Sequence, residues 1–196
     1  MNKIKFGFDL DNTVINYDKA IEKWCSKNKI YIFKNVIELK LYISKLGNYQ
    51  NRWLDIQEWL YTEGLAYATL QTGVKTIFDY LLLKNSHLYV ISHKSSISAK
   101  KKLDLINPVW VWLNKELNQY FENSKIEIYF EETREKKINR ITNLGITHFL
   151  DDLVEIFQNP NFPRQTKAFW FSSPASPITH SNVIQIQKFD ELKKYV

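Results

Sequence analysis

The chain has 196 residues, 44% apolar and 24% charged, a composition typical of a folded globular domain. Its single cysteine, Cys25, excludes an intramolecular disulfide framework and a zinc site built from several cysteines, and we interpret it as an ordinary helix residue. The net charge of +6 favours anionic ligands, but no nucleic-acid motif is present, so small phosphate-bearing molecules are the expected partners. The lack of a signal peptide or of an apolar run of about 18 residues predicts a cytoplasmic protein that binds no membrane.

The first predicted element is a short apolar strand at residues 4–8 that leads directly into Asp9, Asp11, Asn12 and Thr13. On an extended backbone, residues i and i+2 point to the same side, so Asp9 and Asp11 are expected to face one site. An apolar strand of this kind is typical of a buried α/β sheet, which binds ligands beyond the carboxyl ends of its strands. Two carboxylates there repel each other unless a cation or a shared proton intervenes. Taken alone, the pair is equally consistent with an Asx-rich turn.

Residues 16–71 have helical rather than strand spacing. Asn16 can cap the first of these helices. The stretch is too long for a simple strand-to-helix connection, so we predict a helical cap at 16–71, inserted into a core formed by 1–15 and 72–196. The predicted cap helices are 18–26, 34–46 and 53–67.

After residue 73, predicted strands alternate with predicted helices, which indicates a parallel sheet covered by helices on both faces. The predicted fold class is therefore α/β, a Rossmann-like sheet with a small helical cap. The three lysines at 100–102 are interpreted as the solvated face of one helix. The predicted strands are 87–91, 126–130, 147–150, 168–171 and 183–186, and the predicted helices are 74–84, 95–105, 107–122, 134–144, 153–157 and 189–195.

Polar residues follow the ends of two of these strands. Ser92 directly follows the predicted strand at 87–91, and Asp151 and Asp152 directly follow the predicted strand at 147–150. Alone, a serine at a strand end is commonly a turn residue, and an isolated Asp-Asp commonly caps a helix. Carboxylates from two strand ends, here Asp9 and Asp152, suit a hard, oxygen-ligated cation such as Mg2+.

In chain order, Asp9-Leu10-Asp11-Asn12-Thr13, Ser92, a lysine at 137 or 136 near the start of a helix, and Leu150-Asp151-Asp152 resemble motifs I to IV of the haloacid dehalogenase (HAD) superfamily of phosphohydrolases. The resemblance spans most of the chain. It implies a Mg2+-dependent phosphatase with a C1-type cap that hydrolyses a small soluble phosphate monoester through an aspartyl-phosphate. Haloacid dehalogenases themselves lack the second motif I aspartate, so its presence favours phosphoryl chemistry over dehalogenation.

The resemblance also implies the role of each site residue. Asp9 is the expected nucleophile and Asp11 the general acid and base. Ser92 and Lys137 are expected to hold the phosphoryl oxygens, with Lys136 as the alternative lysine. The expected metal ligands are the Asp9 and Asp152 side chains and the Asp11 carbonyl, assisted by Asp151. Thr13 is expected to bond within the motif I turn and is grouped with His93 and Lys94 as substrate-binding, although a solvated loop explains the last two equally well.

Two other functions fit the same motifs. One is a phosphomutase or phosphotransferase that uses the same aspartyl-phosphate. The other is a non-catalytic metal-binding module, in which Trp110, Trp112 and Tyr120 form a partner interface, although their helical spacing is more simply explained by core packing. Within the cap, Trp53, Trp59 and Tyr61 are expected to form its core or to contact the leaving group.

Overall fold

The structure is a computed structural model that describes residues 3–121, 125–172 and 182–196. The chain divides into two compact units. The first comprises Met1–Val14, Gln71–His93 and Gln119–Val196, and the second comprises Ile15–Leu70 and Lys94–Asn118.

The secondary-structure elements are as follows, in chain order. The strands are β1 (Lys5–Phe8), β2 (Ile15–Asn16), β3 (Thr69–Leu70), β4 (His87–His93), β5 (Ile126–Glu131), β6 (His148–Asp151), β7 (Lys167–Phe171) and β8 (Val183–Ile186). The helices are α1 (Asp18–Lys27), α2 (Val36–Ser44), α3 (Tyr49–Leu60), α4 (Val74–Leu83), α5 (Asn107–Phe121), α6 (Arg134–Leu144) and α7 (Glu155–Gln158), with 3₁₀ helices at Glu63–Tyr67 and Phe189–Tyr195. In the ranges described, none of these helices is both long enough and apolar enough to cross a membrane.

The first unit is built on a six-stranded sheet in the order β5-β4-β1-β6-β7-β8. Every neighbouring pair in it is parallel. From β1 to β7, helices separate the strands of the sheet along the chain, which confirms the predicted α/β fold class. Because β1 lies between β4 and β6 and the three strands are parallel, the residues that follow them lie side by side at the C-terminal ends of the strands.

β1 packs closely against its neighbours within the sheet. Phe6 and Phe8 are fully buried, and their rings stack with centroids 4.6 Å apart. Between them, Gly7 lies under Phe149 of β6, and a Cβ built at Gly7 would come within 2.5 Å of the Phe149 ring. The Phe149 ring therefore leaves no room for a side chain at position 7, and glycine is the residue that fits there.

The second unit contains α1, α2, α3 and the first 3₁₀ helix, which occupy most of the segment predicted as a cap. Two short strands that the sequence did not predict, β2 and β3, pair antiparallel at the ends of this segment, with Ile15 opposite Leu70. Residues 94–118, predicted as part of the core, also belong to this unit. The predicted helix 107–122 is present as α5, except that residue 122 lies outside the described residues.

One predicted helix, at 95–105, is wrong. The chain there forms a hairpin-like loop, in which the backbone N–H of Ser98 donates to the carbonyl oxygen of Leu103 at 2.8 Å. Ile97 and Asp104 pair beside them in an antiparallel bridge.

The buried carboxylate of Glu58, in α3, supplies the physical reason. It accepts hydrogen bonds from the backbone N–H groups of Lys100 and Lys101 at 3.1 and 3.2 Å. Within a helix those N–H groups would bond to carbonyl groups of the preceding turn instead. Lys102 has a left-handed backbone conformation, with φ of 56°. The three lysines therefore lie in a loop and do not form the helix face that we predicted.

Replacing Gly7 with alanine tests the close approach of β1 and β6. We expect Gly7→Ala to lower the free energy of unfolding by about 1–3 kcal/mol, because the new methyl group overlaps the Phe149 ring. Phe149→Leu alone also destabilises the core, but in the double variant it makes room for the methyl group. Urea denaturation should therefore give a double-variant loss smaller than the sum of the single losses. Additive losses would contradict the proposed overlap.

Candidate active site

The C-terminal ends of the parallel strands bring together residues that are far apart in the sequence. Asp9 directly follows β1, and its backbone N–H donates to the carbonyl oxygen of Leu150 in β6 at 2.8 Å. Asp151 is the last residue of β6, and Ser92 lies near the end of β4. The register of the parallel strands thus places three of the predicted residues at one edge.

Lys137 is the cation at the centre of this edge. Its side chain is only 2% exposed, and its Nζ donates to Asp9 Oδ1 at 2.5 Å and to Asp151 Oδ2 at 2.7 Å. Lys137 lies in the first turn of α6, which Thr133 caps by accepting the N–H of Lys136. The start of α6 is therefore fixed, and the lysine side chain extends from it to two strand ends.

Lys136 does not join the cluster. It points to a different side of α6, where its Nζ donates to Glu132 Oε2 at 2.6 Å in an exposed ion pair. Since neighbouring residues on a helix are rotated by about 100°, only one of the two lysines can face the sheet. The structure brings Lys137, and not Lys136, to Asp9.

Three carboxylates lie close enough to hold one cation. Oxygen atoms of Asp9, Asp151 and Asp152 all lie within 4.8 Å of one another. Asp151 already uses both of its oxygens, since Oδ2 accepts from the lysine and Oδ1 accepts the backbone N–H of Leu153 at 2.9 Å. Carboxylate oxygens are the ligands that Mg2+ prefers, so the donor set fits this cation. The hydrogen bonds of Asp151 thus orient its side chain, and Asp9 also accepts one from Lys137.

The charges of the cluster shift the pKa values of its members. Burial raises the pKa of Asp9 to about 7, and the carboxylates of Asp151 and Asp11 act in the same direction, while Lys137 opposes them. Burial alone would lower the pKa of Lys137, but the carboxylates of Asp151 and Asp9 outweigh burial and raise it above its ordinary value. The lysine therefore stays charged, and the carboxylates around it still exceed its single positive charge. A bound cation would offset that excess.

Of the predicted site residues, Ser92 and Thr13 each bury a hydroxyl group that has no partner in the described ranges. Neither Ser92 Oγ nor Thr13 Oγ1 forms a hydrogen bond with any residue in the described ranges. This corrects the expectation that the Thr13 side chain bonds within its own turn. An unpaired buried hydroxyl costs about 1–3 kcal/mol, so both groups are suited to a ligand that supplies the missing acceptors.

Of the remaining predicted residues, Asp11 lies near the cluster, whereas His93 and Lys94 have contacts elsewhere. Asp11 is near enough to Asp9 to affect its pKa. His93 is exposed, and its Nε2 lies 3.1 Å from the carbonyl oxygen of Glu132. Lys94 belongs to the second unit, where its buried Nζ lies 2.9 Å from the centre of the Tyr61 ring.

Sequence reasoning missed one residue that supports the site. The indole Nε1 of Trp170, in β7, donates to the backbone carbonyl oxygen of Asp152 at 2.9 Å and so fixes the turn that carries this carboxylate. An aromatic residue in a strand is ordinarily interpreted as core, so no signal in the sequence identified this role.

Comparison with solved structures shows which fold this is. The chain is similar to a HAD-superfamily hydrolase from Ehrlichia chaffeensis, with a TM-score of 0.55 and 14% identity over 100% of this chain and 97% of that one. It is also similar to a predicted phosphatase from Clostridium acetobutylicum, with a TM-score of 0.60 and 13% identity over 99% and 98% of the two chains. A third similar structure is the putative HAD-hydrolase YfnB from Bacillus subtilis bound to magnesium, with a TM-score of 0.61 and 11% identity over 100% and 99%.

At these identities the likeness concerns the fold. The chain has the fold of the HAD superfamily over its whole length, as the resemblance of its motifs predicted. No protein-family model matches the sequence, and neither does any curated protein.

Removing the buried lysine tests the electrostatics of the cluster. In metal-free buffer, we expect Lys137→Met to lower the free energy of unfolding by about 3–5 kcal/mol, because it leaves two buried carboxylates without a cation. Lys136→Met is the matched control and should change little, since that side chain is exposed. Urea denaturation of both variants measures the difference. Equal losses in the two variants would show that Lys137 does not neutralise the cluster.

Proposed function

We propose that this protein is a Mg2+-dependent phosphatase that hydrolyses a small phosphorylated metabolite through an aspartyl-phosphate. One observation carries the proposal, namely the buried contact of Asp9 with Lys137 beside the carboxylates of Asp151 and Asp152. The HAD fold of the chain and the similarity to a magnesium-bound relative support the same conclusion.

In this proposal, Asp9 is the nucleophile and Asp11 is the general acid and base. A carboxylate oxygen of Asp9 attacks phosphorus, so that an O–P bond forms while the bond to the leaving alkoxide breaks. Asp11 donates a proton to that alkoxide oxygen and then accepts a proton from the water that hydrolyses the aspartyl-phosphate. The second step returns Asp9 as a free carboxylate and releases inorganic phosphate.

The phosphoryl oxygens require donors, and the site offers several. The ammonium group of Lys137 has three N–H donors, of which two are used by Asp9 and Asp151. The third remains for a phosphoryl oxygen. The unpartnered hydroxyl groups of Ser92 and Thr13 supply two more donors.

Asp9 and Asp152 would hold the metal ion, together with the backbone carbonyl of Asp11. When bound, Mg2+ would offset the negative charge that the carboxylates and the phosphate share. Asp151 would act through its hydrogen bond to Lys137 rather than as a direct ligand. Most of the second unit would serve as a C1-type cap.

Replacing the nucleophile tests the proposal. We expect purified protein to release phosphate from at least one member of a panel of sugar phosphates, nucleotides and phosphorylated amino alcohols when Mg2+ is present, and EDTA should abolish the release. Asp9→Asn should reduce kcat by at least about a thousandfold, because the amide is a poor nucleophile.

The control for Asp9→Asn is Asp190→Asn, which changes an exposed aspartate of the closing 3₁₀ helix. It should leave kcat unchanged, and circular dichroism should show that both variants are folded. An Asp9→Asn variant that still turns over would exclude the aspartyl-phosphate. If the protein releases no phosphate but transfers it to a second metabolite, it is a phosphotransferase.

Ser92 provides a test that separates a role in binding phosphate from a role in folding. Ser92→Ala should lower kcat/KM by about 10–100-fold, since it removes one donor to the phosphoryl group. It should not lower the free energy of unfolding, because the hydroxyl has no partner among the described residues.

Ser86→Ala is the matched control for this variant. The Ser86 hydroxyl is also buried and unpartnered in the described part of the chain, but it precedes β4 and so lies at the opposite end of that strand. We expect the same small effect on stability and no effect on kcat/KM. Equal losses of activity in the two variants would rule out a phosphate contact at Ser92.

A further inference from the structure

The second unit contains a cavity of about 570 Å³ that is formed entirely by its own residues. This volume lies within the range of small-molecule binding pockets, roughly 300–1,000 Å³. The cavity shares no residue with the carboxylate cluster of the first unit. Its aromatic and apolar wall is formed by Trp24, Trp59, Tyr42, Ile30, Ile43 and Leu46.

The two carboxylates that line the cavity are already neutralised. Glu63 Oε2 accepts hydrogen bonds from Lys27 Nζ at 2.9 Å and from the indole Nε1 of Trp59 at 3.2 Å. Asp55 accepts both of its hydrogen bonds from Lys100 Nζ, at 2.7 and 2.8 Å. Neither acid therefore repels an anionic ligand with a full, uncompensated charge.

Two cations of the lining have weaker contacts than the lysines that pair with these acids. Arg52 donates only through Nε, to the carbonyl oxygen of Gly47 at 3.3 Å, and its terminal nitrogens donate to no residue within the described ranges. The side chain of Lys101 is 64% exposed, and its Nζ forms a loose ion pair with Glu58 Oε2 at 3.9 Å, beyond hydrogen-bonding distance. The lining thus combines an aromatic wall with two positive groups, of which one donates to a backbone carbonyl and the other forms a loose ion pair in the described part of the unit.

We propose that this cavity binds a small anion that carries a planar aromatic ring. The ring packs against the indoles of Trp24 and Trp59, and the anionic group, a phosphate or a carboxylate, binds Arg52 and Lys101. The planar guanidinium of Arg52 suits such a group because it can donate two parallel hydrogen bonds to it. This site is independent of the proposed phosphatase reaction, because it uses none of its residues.

Calorimetric titration of the full chain tests the proposal. EDTA is included, so that binding at the proposed metal-dependent site is suppressed. The probes are adenosine 5′-monophosphate, indole-3-acetate, adenosine and inorganic phosphate. We expect at least one of the two ring-bearing anions to bind with a Kd below about 1 mM, whereas adenosine and phosphate bind at least tenfold more weakly. The tighter of the two anions identifies the anionic group as a phosphate or a carboxylate.

Three variants separate this cavity from other binding sites. Arg52→Ala and Lys101→Ala should each raise the Kd of the ring-bearing anion by about tenfold or more, since each removes a charge-assisted contact. Arg164→Ala removes an exposed arginine of the first unit and should leave the Kd unchanged. Ser92→Ala should also leave it unchanged, which shows that the probe does not bind at the phosphoryl site.

The proposal would be overturned by any of three results. The first is that neither ring-bearing anion binds. The second is that adenosine or phosphate alone binds as tightly as the ring-bearing anion, which would exclude joint recognition of ring and charge. The third is that Arg52→Ala and Lys101→Ala have no more effect than Arg164→Ala.

Discussion

The contact of Lys137 with Asp9 and Asp151 is the interaction on which the site depends. It joins the ends of two neighbouring strands, β1 and β6, to the start of α6. Buried charges are unfavourable unless each is paired, so the lysine and the two carboxylates fix one another in place. The same contact leaves one lysine donor and an excess of negative charge at the edge of the sheet. Both features favour a ligand that combines phosphate with a cation.

In the first unit, some buried polar groups are hydrogen-bonded and others are unpaired among the described residues. Both oxygens of Asp151 are hydrogen-bonded, which makes that carboxylate a rigid support. The hydroxyl groups of Ser92 and Thr13 have no partner among the described residues. Ser86 has an unpaired buried hydroxyl as well, so it is the position of Ser92 and Thr13 on the segments that carry the predicted motifs that connects them with the proposed phosphate. In the cavity of the second unit, the two acids of the lining are hydrogen-bonded to lysines, whereas Arg52 donates to a backbone carbonyl and Lys101 forms a loose ion pair with Glu58.

Local sequence patterns predicted most of the elements correctly. The apolar strands and the helices between them were identified, although several helix ends shifted, and α3 ends at Leu60 before a separate 3₁₀ helix begins. The prediction failed at 95–105, where spacing suggested a helix. There the Glu58 carboxylate, some 40 residues earlier in the chain, binds the backbone N–H groups of Lys100 and Lys101. A contact over that distance leaves no trace in the local pattern of apolar residues.

The sequence by itself determined the parallel α/β fold and the position of the acidic residues directly after two strands. Both follow from short-range spacing and from the direction of parallel strands. The tertiary structure decided which lysine serves the site, since Lys136 and Lys137 differ only in the side of α6 on which they lie. It also decided that the Ser92 and Thr13 hydroxyls stay unpaired, that Trp170 supports the turn at Asp152, and that Trp24 and Trp59 line one cavity. Each of these depends on the packing of residues distant in sequence, which local spacing does not specify.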